Sequence, residues 1–154
     1  SAASDVYKRQ HNLWAKHCNF QTSLKVPLLI KYPNQTESKK INSVVELVDI
    51  FPTLCDISNL DYPKHLQGKS LTSINKKDNS NTIGFSTYKK GTTITTSNYS
   101  YTRWQNDNNE LLGQMLFDLK RDKDENISIA IDSTYKQLIN SFSISIDSIN
   151  KVSL

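Results

Sequence analysis

The chain has 154 residues, 36% hydrophobic and 22% charged, a globular balance that excludes a disordered or fibrous class. Nineteen basic residues against fifteen acidic ones give a net charge of +4. The lysine pairs at 39–40, 76–77 and 89–90 are scattered, not gathered into the basic face that nucleic-acid binding needs. No apolar run approaches the roughly 18 residues of a membrane span, and the N-terminal "SAASDVYKRQ" has no apolar core of the signal-peptide kind.

In chain order, residues 11–20, "HNLWAKHCNF", hold the densest group of reactive side chains: His11, Trp14, Lys16, His17 and Cys18. Two histidines six apart have no recognised metal-ligand spacing. The two cysteines, Cys18 and Cys55, read as free thiols packed as small hydrophobes. The short apolar run "KVPLLIK" (25–31), bounded by charge and by Tyr32-Pro33-Asn34, predicts a strand buried on both faces, weakened by Pro27. Over "VVELVDIFPTLCDISNL" (44–60) the period changes. Val48, Phe51, Leu54, Cys55 and Ile57 fall at helical spacing, Asp49 is placed to cap, and Pro52 suits a first turn. The expectation is a strand end at 44–47 and a helix over 50–58. "DYPKHLQGKSL" is then a connector and "NKKDNSN" (75–81) a loop at the best internal boundary.

Beyond the loop the texture is β. "TIGFSTY" (82–88), "TTITTSN" (92–98), "YSYTRW" (99–104) and "MLFDL" (115–119) are short, rich in Thr, Tyr, Ile and Phe, and separated by turn residues. They predict an antiparallel meander. From 129 to 149, Ile131, Tyr135, Leu138, Ile139, Phe142, Ile146 and Ile149 line one side of a helix that would cover that sheet. The second half is therefore α+β, and the first half reads as the end of an α/β sheet with its earlier strands missing. A lone strand and helix make no core, so the chain reads as a piece of a longer polypeptide.

Four blocks, in order and with family-like spacing, resemble the C-terminal third of the type I sulfatases, most closely the iduronate-2-sulfatase-like branch. "HNLWAKHCNFQ" with "LKVPLLI" is similar to that family's "EHGxWxKHTNFE…RVPLII". "VELVDIFPTLCDISNL" resembles "VELVDLYPTLCDLAGL", and "HLQGKSL" resembles "LEGxSL". "YSYTRW" with "MLFDLKRDKDEN" is similar to "YRYTxW" with "ELYDLxxDPxEN". The resemblance implies an alkaline-phosphatase-like fold: residues 11–74 as the end of the α/β catalytic domain, and 82–150 as a small antiparallel sheet with a C-terminal helix. Residues 1–10 match nothing in the pattern and read as a non-native or disordered leader.

The resemblance also implies sulfate-ester hydrolysis of sulfated carbohydrate, using a formylglycine nucleophile and a bound calcium ion, in a periplasmic or secreted protein. Lys16 stands where the family places a lysine on the substrate sulfate, a role that suits a compact ammonium. It is the candidate catalytic residue. His17 resembles a pocket-lining position, with a structural role equally open, and His11 resembles a structural histidine. Trp14, Arg103 and Trp104 are further candidate substrate contacts; the plain alternatives are an aromatic anchoring its loop to the core for Trp14, and an exposed arginine beside a half-buried tryptophan for Arg103 and Trp104. Neither cysteine lies in a C-x-P-S-R context and no D-H-G segment precedes His11, so the nucleophile and the metal ligands are expected in the missing N-terminal part. These 154 residues alone would then be inactive. Two other readings stay open: a phosphodiesterase or phosphonate hydrolase of the same superfamily, and a non-catalytic carbohydrate-binding module.

Overall fold

The computed structural model describes residues 17–76 and 82–152. They fall into two units, one running up to Val26 and resuming at Phe85, the other made of Pro27–Gly84.

The larger unit is built on the expected meander. Strands β1 (Gly84–Tyr88), β2 (Gly91–Thr95), β3 (Tyr99–Gln105) and β4 (Leu111–Asp118) lie side by side in sequence order. The pairs β2–β3 and β3–β4 are antiparallel, with Ile94 opposite Tyr101 and Tyr101 opposite Leu116. β4 begins earlier than its composition predicts, because Leu111–Gly113 continue the ladder past an irregularity at Trp104/Gln105. The residues between β2 and β3 form a turn in which Thr96 Oγ1 accepts the Tyr99 N–H at 2.9 Å.

Alternation along the strands gives the sheet two distinct faces. Ile94, Tyr101 and Leu116 point to one side and meet Ile139, Phe142 and Ile146 of the C-terminal helix. The Tyr101 and Phe142 rings stack with centroids 5.8 Å apart. Burying these six side chains is the main apolar stabilisation of the unit. The C-terminal helix spans Lys136–Val152, later than the expected start near 129. Asp132 explains the shift: its carboxylate accepts the Thr134 N–H and opens a 3-10 turn over Ser133–Tyr135. Ile131, expected on the buried side, precedes that turn and is 98% exposed.

The smaller unit corrects two sequence expectations. Residues 25–31 form neither helix nor strand, and Leu29 is 93% exposed. A strand buried on both faces needs neighbours to bond to, and Pro27 removes one donor besides. Residues 44–46 likewise belong to no strand, and Leu47–Asp49 form a 3-10 turn. The helix does form, over Ile50–Ile57. Pro52 sits buried in its first turn as expected, but Asp49 does not cap it by side chain. Its carboxylate instead accepts the Glu46 N–H at 2.9 Å and the Lys69 N–H at 2.8 Å. Thr53 Oγ1 accepts the Leu71 N–H at 2.9 Å, so the connector folds back along the helix. Gly68 is required there: a Cβ would overlap the Val48 carbonyl. Cys55 is buried, whereas Val48, Phe51 and Leu54 stay about half exposed. The helical spacing of these residues therefore marks an apolar face without a covering layer in this unit.

Candidate functional site

The sheet face opposite the C-terminal helix carries the "HCNFQTSL" segment, residues 17–24. Its last four residues form one helical turn, α1 (Gln21–Leu24). The segment is fastened at four places. Asn19 is buried and its amide donates to the Tyr88 carbonyl at 3.4 Å. The Phe20 ring packs on Phe117 at 6.0 Å between centroids. The Gln21 side chain donates to Thr95 Oγ1 at 3.1 Å. The Gln21 backbone N–H donates to Glu125 Oε2 at 2.6 Å.

That last contact is the strongest in kind, a charge-assisted bond accepted by a carboxylate only 1% exposed. Glu125 follows β4 in a turn where its own φ is +55°. Sequence reading used Glu125 only as part of the "DKDEN" match and gave it no role. A carboxylate in a turn gives no sign of a partner a hundred residues away.

His17, at the start of the fastened segment, remains exposed, and its imidazole stacks on the Tyr88 ring at 5.8 Å and 19°. Tyr88 also escaped the sequence reading. Lys16, Trp14 and His11 lie outside the described residues. Cys18 is half-buried with Sγ 3.0 Å from Ser23 Oγ, and both Cys18 and Cys55 are free thiols.

Arg103 and Trp104 are adjacent on β3 and so face opposite ways. Trp104 is on the side of the fastened segment: a Cβ built on Gly91 would collide with the Asn19 amide and come within 2.5 Å of the Trp104 indole nitrogen. Arg103 is on the helix side, buried to 8% exposure and ion-paired with Asp147, with the Ser143 carbonyl 3.5 Å from Nη1. The plain reading of an exposed arginine is therefore corrected. On the same face Tyr101 bonds Gln114 and Ser143, both at 3.0 Å, and burial pushes its phenol above the usual tyrosine value.

Among the described residues no group of three or more His, Cys, Asp and Glu converges as a metal site would require. No helix among them is long and apolar enough to cross a membrane.

Residues 9–151 match the family described as N-sulphoglucosamine sulphohydrolase, C-terminal. The chain belongs to that family. Human arylsulfatase K is 28% identical to this sulphohydrolase-family chain over 141 residues, covering 79% of the chain and 25% of the enzyme. A candidate sulfatase from Bacteroides thetaiotaomicron superposes with a TM-score of 0.53 at 25% identity, over 68% of this chain and 24% of that one. A 2-O glycosaminoglycan sulfatase does so at 0.52 and 25%, over the same shares. The chain thus spans about a quarter of the length of these relatives. Its four-stranded antiparallel sheet and terminal helix are those of a sulfatase C-terminal domain on the alkaline-phosphatase-like fold.

Proposed function

We propose that this chain is the substrate-holding C-terminal part of a sulfatase that hydrolyses sulfate esters on sulfated carbohydrates. The observation that carries the reading is the match of residues 9–151 to a sulphohydrolase C-terminal family. The seating of 17–24 on the sheet, which begins at the exposed His17, adds to it. In this reading residues 11–74 close the catalytic domain, 82–150 form the small one, and the nucleophile and calcium belong to residues outside these 154. The iduronate-2-sulfatase-like branch is the narrower assignment, supported by the "WAKHCNF" and "YSYTRW" blocks.

Lys16 would hold the sulfate oxygens as negative charge gathers on them during S–O cleavage. His17 would meet the sulfate or the sugar beside it, with Trp14 and Trp104 as apolar walls. Arg103 is not among the proposed contacts, since its guanidinium is engaged with Asp147 on the other face. The test is sulfate release from an aryl sulfate and from sulfated disaccharides by the full-length polypeptide carrying this chain. Lys16→Ala should lower kcat/KM by about a hundredfold or more. A wild-type polypeptide that hydrolyses phosphate diesters or phosphonates in preference to sulfate esters would refute the proposal.

A further inference from the structure

We propose that the end of β1 and the start of the turn after it, Tyr88 and Lys89, are a specificity element of the His17 site, in which Tyr88 positions the imidazole and Lys89 receives a second anionic group of the substrate. The group would be a carboxylate or a second sulfate on a sulfated sugar, and the inference rests on the sulfatase reading above.

Two cationic or polar heads converge on one ring. The His17 imidazole stacks on Tyr88 at 5.8 Å, and Lys89 Nζ lies 5.5 Å from the centroid of the same ring. Tyr88 is itself held, because its carbonyl accepts the amide of the buried Asn19, next but one to His17. The ring and the imidazole are thus fixed to the same short segment. An ammonium resting on a tyrosine face keeps its charge and loses part of its freedom before any ligand arrives, which lowers the entropy lost on binding.

The neighbouring lysines differ in a way that singles out Lys89. Lys90 is ion-paired with Asp107 at 3.1 Å. Lys89 is exposed and has no carboxylate partner among the described residues. Its φ of +53° is a left-handed conformation that a side-chain-bearing residue adopts infrequently. The turn therefore presents one ammonium without a carboxylate partner, against the ring on which His17 stacks, and one that is ion-paired. A substrate with a single sulfate has nothing to offer that ammonium, whereas a sugar with a second anion does.

The experiment compares two substrates on the full-length polypeptide carrying this chain: a neutral aryl sulfate, and a disaccharide with a sulfated uronate. The readout is the ratio of their kcat/KM values. Lys89→Gln should reduce the wild-type preference for the uronate substrate about tenfold, chiefly through KM, while Lys120→Gln, at an exposed lysine in the turn after β4, leaves the ratio unchanged. Tyr88→Ala should raise KM for the uronate substrate with a smaller change in kcat, and Tyr88→Phe, which keeps the ring, should restore it. A wild-type polypeptide active on both substrates whose ratio is the same in Lys89→Gln overturns this inference and leaves the sulfatase reading standing. So does one with no preference for the uronate. A wild-type polypeptide that hydrolyses neither overturns both.

Discussion

Removing the Glu125 carboxylate should loosen the segment that carries His17. In Glu125→Ala the Gln21 N–H loses a 2.6 Å charge-assisted bond in a site where the acceptor residue is 1% exposed. Bonds of this class contribute about 1.5–3 kcal/mol. Alanine at φ +55° keeps the backbone strain of the wild type, so strain contributes nothing to the difference. Glu125→Gly relieves the strain and should recover roughly 1 kcal/mol of it. For a chain of this size each kcal/mol corresponds to about 2–4 °C, so Glu125→Ala should melt about 3–12 °C lower, with Glu125→Gly between it and wild type. Circular dichroism reads the melting, and hydrogen exchange reads the Gln21 amide directly. An unchanged melting temperature together with unchanged protection of the Gln21 amide would refute the fastening described here.

Ile146, fully buried between the helix and the sheet, should lose about 2–5 kcal/mol on truncation to alanine, measured by chemical denaturation. Gly91→Ala should destabilise by about 1–3 kcal/mol and change Trp104 fluorescence, since the new methyl must displace the Asn19 amide or the indole. The raised ionisation of Tyr101 predicts an alkaline limit. Folding favours the neutral phenol, so its contribution is complete below the unfolded value of 10.0 and is lost as pH rises through the folded value. Tyr101→Phe should flatten that alkaline loss in a stability–pH titration.

What the sequence made legible follows from periodicity. The β-branched and aromatic runs from 84 to 118 alternate because one face meets the helix, and the helical spacing of Leu138, Ile139, Phe142 and Ile146 is the complementary surface. Where the pattern misled, it carried apolarity without a partner. "KVPLLIK" has the composition of a buried strand, yet a strand is defined by ladder bonds, and residues 25–31 make none among those described. The helix start moved because one Asp132 side-chain bond outweighed the apolar period around Ile131. At the site, His17 was visible as a reactive residue, but Tyr88, Asn19 and Glu125 were not. Their roles come from contacts across some 70 to 100 positions, which no local pattern encodes.

The most direct test of the central claim is sulfate release by the full-length polypeptide carrying this chain, as wild type and as Lys16→Ala, with an aryl sulfate and a sulfated disaccharide. The account predicts sulfate release by the wild type and about a hundredfold or greater loss in the variant, with the fold intact by circular dichroism. Full activity in Lys16→Ala, or a wild type that releases no sulfate from either substrate, would contradict it.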